Sequence, residues 1–165
     1  MVLDTLGDRW KKGFRAGKGE FLWLENEDGD GRILLVKPLT FMNLSGFAVE
    51  DALRQFGATT DELLIVLDDV ALPLGRLRIR PGGSDGGHNG LVSVIGILQS
   101  DQIPRLRCGI GRTDPVPGEE LSDFVLSPFD KEEKELVTGM VTRAADAVEA
   151  FVRTGITDAM SRYNT

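Results

Sequence analysis

Hydrophobic residues along the chain change between helical and alternating spacing, and this change separates helices from strands. Apolar side chains recur at helical spacing between Val2 and Trp10, which predicts an amphipathic first helix. Two apolar stretches, residues 21–25 and 32–36, flank a turn-rich segment and predict a β-hairpin. The remaining pattern predicts helices over residues 47–56, 91–98, 128–154 and 157–163, and strands over residues 63–67, 76–80 and 105–109.

The order of these elements predicts the α/β class. Residues 63–67 form a continuous apolar run that is typical of a strand buried on both faces. No repeat or low-complexity linker interrupts the 165 residues, of which 41% are hydrophobic, and this length suits one domain better than two. We expect residues 1–165 to form a single-domain three-layer sandwich, with a mixed, mostly parallel twisted sheet and helices on both faces.

Net charge and cysteine content restrict the possible functions. The formal charge of -7 argues against a generally sticky nucleic-acid binder, although a local basic stripe on an acidic protein can still bind phosphate. Cys108, the single cysteine, cannot form an internal disulfide, and no apolar run approaches the roughly 20 residues of a membrane helix. We therefore expect a protein of a reducing compartment, the cytoplasm, with no membrane partner.

The segment from Gly82 to Gly90 is the strongest candidate for a binding site. It holds five glycines in nine residues together with His88, the only histidine of the chain. Glycine lets a ligand approach the backbone, but the same composition also suits a flexible surface loop. Asn89 favours the binding interpretation, because its carboxamide offers a donor and an acceptor among residues with few side chains.

Other candidate motifs do not support a metal or a cofactor. Asn26 begins a calcium-loop-like run, but its twelfth position, where a bidentate Glu belongs, is Lys37. One histidine and one cysteine cannot build a zinc site, so Asp85 and His88 are expected to make loop contacts. Cys108 lies in an apolar strand and is expected to be a small core residue. No complete nucleotide-binding motif is present, and we expect neither metal nor cofactor.

Arginines form an alternating row along one predicted strand. Arg76, Arg78 and Arg80 project from the same strand face, which is ordinarily a solvated surface or a protected edge. A track for the phosphates of a nucleic acid is the alternative. Further arginines from a later strand would extend such a track: Arg105, Arg107 and Arg112.

Four motifs occur in an order that resembles the bacterial peptidyl-tRNA hydrolases. They are Lys-Pro-Leu-Thr-Phe-Met-Asn-Leu-Ser-Gly (37–46), Asp-Asp (68–69), Gly-Gly-His-Asn-Gly-Leu (86–91) and Arg-Leu-Arg-Cys-Gly-Ile-Gly-Arg (105–112). The resemblance extends from the first helix to the last. It implies a cytoplasmic, normally monomeric and metal-free enzyme, whose substrate partner is peptidyl-tRNA. Such an enzyme hydrolyses the ester between a peptide and the 3' ribose of tRNA.

The resemblance also assigns roles to particular residues. Asn43 and Asn89 match the carboxamides that position the peptide main chain and the tRNA terminus, and Asp68 matches the carboxylate that orients the catalytic histidine. His88 matches a secondary residue of the cleft, not the general base. The other residues that match this cleft are Phe41, Met42 and Gly87. Structural alternatives remain for several of them: helix capping by Asn43, a turn contact of Asp68, and core packing of Phe41 and Met42.

In one respect the chain departs from the family pattern. The pattern places a strand, a Gly-Asn-Pro-Gly-like turn and a Thr-Arg-His-Asn-like stretch with the catalytic histidine upstream of the first helix, and the 165 residues contain none of these. We expect an amino-terminally truncated hydrolase with little or no activity. The alternative is a non-catalytic RNA-binding relative that keeps the site for the 3' end of tRNA. The presence of Asp68 argues against that alternative, because the carboxylate has no use without a histidine.

Overall fold

Helices and strands are mixed along the chain in the computed structural model, which describes residues 1–29, 31–112 and 121–165. The helices are α1 (Val2–Trp10), α2 (Ser45–Phe56), α3 (Asn89–Leu98), α4 (Leu121–Leu126), α5 (Lys134–Thr154) and α6 (Ile156–Tyr163). The strands are β1 (Arg15–Ala16), β2 (Phe21–Asp28), β3 (Gly31–Pro38), β4 (Ile65–Pro73), β5 (Leu77–Arg80) and β6 (Arg105–Gly111). Two short 3-10 helices cover Met42–Leu44 and Thr60–Glu62.

The chain is organised in two compact units. The first consists of Met1–Ile65 with Arg80–Arg105, and the second consists of Val66–Ile79 with Leu106–Thr165. Each unit contains both helices and strands, which confirms the α/β class.

The first three strands form an antiparallel sheet in the first unit. β2 and β3 are paired from Phe21 opposite Pro38 to Asp28 opposite Gly31, and β1 pairs with the start of β2. This confirms the hairpin predicted over residues 21–36. Both strands are longer than their apolar stretches, because backbone pairing continues through polar residues that the hydrophobic pattern does not mark. Asp30 of the predicted turn lies outside the described residues.

Helix α2 packs on two sides within the first unit. Ala48 contacts Phe21 of the hairpin, and Val49 packs against Val94 of α3 and against Ile103. Small residues at the first contact let the helix approach the sheet closely, and the branched residues fill the second contact. This packing fixes α2 and α3 relative to each other. α3 begins at the candidate residue Asn89, and α2 begins two residues after the candidate residue Asn43.

The second sheet has the strand order β4-β6-β5. β4 and β6 start side by side, because the Ile65 amide donates to the Pro104 carbonyl at 2.9 Å. They also end together, because the amide of Leu74 donates to the Gly111 carbonyl at 2.9 Å, so the two strands run parallel. The described strands therefore include antiparallel and parallel pairs, as expected, but they lie in two three-stranded sheets. Strand pairing depends on partners distant in sequence, which an apolar period does not specify.

The long carboxy-terminal helix starts later than predicted. α5 begins at Lys134, whereas the sequence pattern placed its start at Pro128. The intervening residues form a turn in which Glu133 donates its amide to the Asp130 carbonyl at 3.1 Å and accepts the Asp130 amide on its carboxylate at 2.8 Å. An acidic turn of this kind and an acidic first helical turn have the same sequence signature. The helix ends before Gly155, as predicted.

Candidate substrate-binding surface

An exposed aromatic residue and an exposed thioether precede α2. Phe41 is 81% exposed and Met42 is 55% exposed, so neither side chain belongs to the core. The short 3-10 helix is closed by the Leu44 amide, which donates to the Phe41 carbonyl at 2.8 Å. Core packing, the structural alternative for these two residues, is therefore wrong. Exposed large apolar side chains next to each other are typical of a binding surface.

Asn43 is exposed on the same 3-10 helix. The residue that caps α2 is Leu44, which makes no side-chain capping hydrogen bond, so Asn43 does not cap this helix. The turn packs against α3: a Cβ added to Gly90 would lie 2.6 Å from the sulfur of Met42. A larger residue at position 90 would displace the Met42 side chain, so the turn lies beside the start of α3, where Asn89 is exposed.

His88 caps α3. Its Nδ1 accepts a hydrogen bond from the Leu91 amide at 3.1 Å. In a neutral imidazole one nitrogen accepts and the other donates, so this contact assigns the proton to Nε2. With Nδ1 already accepting and Nε2 protonated, the ring has no lone pair to take a proton from water. That His88 is not the general base stays a prediction.

The glycine loop before α3 has the backbone that its composition predicts. Gly83, Gly86 and Gly87 have φ angles of 123, 62 and 80°. Side chains are disfavoured at such angles. Asp85 stabilises the turn, because its Oδ1 accepts the Gly87 amide at 2.8 Å and its carbonyl accepts the His88 amide at 3.2 Å. Asp85 is thus a turn residue, as expected, and the loop ends at the helix that carries Asn89.

The first unit therefore holds most of the predicted cleft residues on two packed elements. The 3-10 helix and the residue before it carry Phe41, Met42 and Asn43, and the start of α3 with the loop before it carries Gly87, His88 and Asn89. The resemblance predicts that these side chains bind substrate, and the structure supplies their placement. The role of each residue stays a prediction.

Asp68 belongs to the second unit and lies inside β4, half-buried. The sequence pattern placed it at the end of a strand, but β4 continues to Pro73, so neither a strand end nor a turn explains Asp68. Burial raises the pKa of Cys108, on the neighbouring strand β6, to about 12, and the negative charge of Asp68 acts in the same direction. Cys108 is buried and protonated at neutral pH, as expected of a core residue.

The arginine row on β5 has the predicted alternation. Leu77 and Ile79 are fully buried, whereas Arg78 and Arg80 are half-buried and exposed, respectively. Arg76 is exposed in the turn that precedes the strand. The alternation is confirmed, and a phosphate track on this face stays a prediction.

Two arginines of β6, which were expected to extend the surface track, are partly or fully buried. Arg107 forms an ion pair with the buried Asp69 through Nε. Arg105 is 2% exposed, so its expected place in a surface track is wrong. Alternation along a strand indicates which residues share a face, but a loop that covers this face can bury an arginine.

Sequence reasoning missed Asp69 and the surroundings of Arg112. Asp69 was noted only as part of the Asp-Asp pair, yet adjacent strand residues point to opposite faces, and this signal separates it from Asp68. Arg112 lies 4.7 Å from the ring centroid of Phe124 and forms ion pairs with Asp130 at 3.7 Å and Glu133 at 3.9 Å. Its partners are distant in sequence, so no local pattern indicates them.

Within residues 1–29, 31–112 and 121–165, no group of three or more His, Cys, Asp and Glu side chains is arranged to hold a metal ion. In those residues, none of the helices has the length and apolarity needed to cross a bilayer.

Comparison with known proteins gives a consistent result. A family model described as peptidyl-tRNA hydrolase matches residues 1–165. A peptidyl-tRNA hydrolase of Symbiobacterium thermophilum is 45% identical over 170 residues, covering 100% of this chain and 87% of that protein. The enzyme of Thermotoga sp. (strain RQ2) is 44% identical over 166 residues, covering 100% of this chain and 86% of that protein.

Solved structures agree with the sequence comparison. The crystal structure of peptidyl-tRNA hydrolase from Acinetobacter baumannii has a TM-score of 0.89 at 27% sequence identity, covering 99% of this chain and 83% of that chain. The crystal structure of a complex of peptidyl-tRNA hydrolase with N-propanol has a TM-score of 0.88 at 26% identity. Because the family model spans the whole sequence and relatives exceed 40% identity over its full length, the chain belongs to the peptidyl-tRNA hydrolase family.

Proposed function

We propose that the chain binds the 3' end of peptidyl-tRNA through Asn43 and Asn89. The reaction served by this site is hydrolysis of the ester between the peptide, or an N-blocked amino acid, and the 3' ribose. This hydrolysis recycles peptidyl-tRNA that is released from ribosomes in the cytoplasm. The protein acts as a monomer and needs neither metal nor cofactor.

One observation carries the proposal: two exposed carboxamides lie on packed elements beside exposed apolar side chains. An amide group can donate to the ester carbonyl, whose oxygen becomes negative when water attacks, and a donor fixed beforehand stabilises that charge without reorganisation. Phe41 and Met42 supply apolar surface for a peptide side chain or a terminal base. This combination suits a substrate with one acyl and one nucleotide part.

We propose two further roles for residues outside this surface. Asp68 orients the imidazole of the family's catalytic histidine, as a carboxylate does in other hydrolases. The arginines proposed to contact phosphates are Arg76, Arg78 and Arg107 of this unit and Arg80 of the first unit. Arg107 has a fixed orientation for this role, because the buried Asp69 holds its Nε. Phosphate contacts position a nucleic acid without selecting its sequence.

We further propose that the 165-residue chain alone has little or no turnover. Ester hydrolysis by water gains about 10²–10⁴-fold from a positioned general base. The only histidine available is His88, and its ring is engaged in capping α3. The non-catalytic RNA-binding alternative predicts the same low rate. The hydrolase and the RNA-binding relative are therefore distinguished by adding a segment that carries the family's histidine motif.

The test measures release of N-acetyl-amino acid from N-acetyl-aminoacyl-tRNA by the purified chain, with spontaneous ester breakdown as the baseline. Binding is measured in parallel with an acceptor-stem RNA whose N-acetyl-aminoacyl group is attached through a 3' amide, which resists hydrolysis. Asn89→Ala is expected to weaken binding roughly tenfold, the effect of one lost hydrogen bond to a polar group. Asn26→Ala, on β2, serves as the matched control and is expected to bind normally.

Each outcome has a defined meaning. Binding that depends on Asn89, with turnover at baseline, supports the proposal, and turnover that then appears when a segment bearing the family's histidine motif is added excludes the non-catalytic alternative. Turnover above baseline that is lost in His88→Gln would overturn the assignment of His88 as a cap without base function. Equal binding by all variants would overturn the proposed site. Turnover of the extended chain that is unchanged in a metal chelator would agree with a metal-free reaction.

A further inference from the structure

A buried arginine organises the glycine loop from within the first unit. Arg105 is 2% exposed and begins β6. Its Nη1 donates to the carbonyls of Gly83 at 2.8 Å and Ser84 at 2.9 Å, and its Nη2 donates to the Asp101 carbonyl at 2.8 Å. Its Nε donates to the Ile103 carbonyl at 3.0 Å. One guanidinium thus satisfies four backbone oxygens from two segments that form neither helix nor strand.

Arginine is suited to this position for a physical reason. Burial of a charged side chain is costly unless its donors are satisfied, and carbonyls in a loop are costly unless they accept hydrogen bonds. The guanidinium solves both problems, because its planar fork carries five donors in fixed directions. A lysine carries its three donors on a single nitrogen, so it reaches fewer of the four oxygens. A surface role in phosphate binding does not require this arrangement.

The loop held by Arg105 leads directly to the candidate site. Gly83 is also tied to the second segment, because its amide donates to the Asp101 carbonyl at 2.9 Å. His88, four residues after Ser84, caps α3 by accepting a hydrogen bond from the Leu91 amide. Between these two fixed points the chain contains Gly86 and Gly87, which have large conformational freedom when unrestrained. The direction in which the chain enters α3 therefore depends on the anchor at residues 83–84.

We propose that Arg105 is a positioning residue, which fixes the glycine loop so that His88 and Asn89 are held in binding geometry. It touches the loop backbone and not the substrate. This inference rests on the proposed function, and it adds a residue that acts through the loop. Without the fork, the loop samples other conformations, the cap of α3 weakens, and Asn89 spends less time in the orientation that binds the 3' end.

The experiment uses His88 as a reporter, because the only histidine gives one set of imidazole signals. The full chain is labelled with 15N-histidine, and NMR determines which ring nitrogen carries the proton in the wild type, in Arg105→Lys and in Arg105→Met. Affinity for the 3'-amide acceptor-stem RNA is measured on the same samples. Val137→Ala, a core truncation in the second unit, controls for lost stability.

We expect Arg105→Lys to unfold cooperatively, to shift its imidazole 15N signals towards those of a free histidine, and to bind the RNA roughly tenfold more weakly. Val137→Ala is expected to keep both the ring signals and the affinity. Arg105→Lys with wild-type ring signals and affinity overturns the proposal. Failure of both Arg105 variants to fold also overturns it, because Arg105 is then needed for the whole unit. Altered ring signals with no RNA binding by the wild type support the loop anchor and overturn the proposed function.

Discussion

Gly46 of α2 and Ser93 of α3 are in direct contact. The Gly46 amide donates to Ser93 Oγ at 3.0 Å, and a Cβ added to Gly46 would lie 2.4 Å from the Ser93 carbonyl oxygen. Gly46 lies three residues after Asn43, and Ser93 lies four residues after Asn89. The spacing of the helices at this contact therefore helps to set the separation of the two carboxamides.

Gly46→Ala is expected to lower the free energy of unfolding by about 1–3 kcal/mol, because the methyl group meets backbone that cannot move aside easily. Gly96→Ala in α3 is the matched control, since no atom lies within 4 Å of its added Cβ. That control should be neutral or stabilise the protein by up to ~1 kcal/mol, because alanine favours helices. Urea unfolding measures both, and equal losses would contradict the close contact.

The ion pair between Arg107 and Asp69 gives a second prediction. The Asp69 side chain is 8% exposed and that of Arg107 is 28% exposed, so removal of the arginine leaves a poorly solvated carboxylate. Arg107→Gln is expected to cost about 2–4 kcal/mol of unfolding free energy. Arg54→Gln, whose partners on α2 are exposed, should cost less than about 1 kcal/mol. Similar values for the two variants would show that the Asp69 pair is solvated.

The sequence predicts a feature of this structure well when the residues in contact lie close together along the chain, and poorly when they lie far apart. Leu77 and Ile79 are buried as their alternation predicts. The helices come from local periods, and α2 and α5 end at glycines. Phe41 lies beside Asn43 as the motif indicates, but only the structure shows that its ring is exposed. The burial of Arg105 could not be predicted, because it depends on carbonyls about 20 residues upstream along the chain.

The same limit applies to the second unit. Asp68 and Asp69 are adjacent in sequence, yet one raises the pKa of a thiol and the other holds an arginine. Both partners belong to β6, some 40 residues later. A motif can identify this pair of carboxylates. Which residue of β6 each carboxylate faces follows from strand pairing, and the spacing of apolar residues does not specify that pairing.

Cys108 is expected to react slowly in the folded protein. Burial, and then the charge of Asp68, raise the pKa of this thiol to about 12, so its thiolate fraction at pH 8 is about a thousandfold below that of an ordinary cysteine. Ellman's reagent should therefore react far faster in denaturing urea than in buffer. Asp68→Asn should accelerate the native reaction modestly, because burial remains, whereas Asp61→Asn at an exposed site should not. A rapid native reaction would contradict the buried, protonated thiol.

Asp4 and Lys37 are expected to contribute stability that depends on pH. The hydrogen bond from Lys37, followed by the one from the Met1 amino group, lowers the pKa of Asp4 from 3.8 to about 2. A lowered folded-state pKa means that the contribution is complete above about pH 4 and is lost as the pH falls towards 2. Because both groups are partly exposed, it should remain below ~1 kcal/mol. Asp4→Asn and Lys37→Met should each flatten the dependence of urea stability on pH in this window. A variant that keeps the wild-type slope would show that the pair does not form in solution.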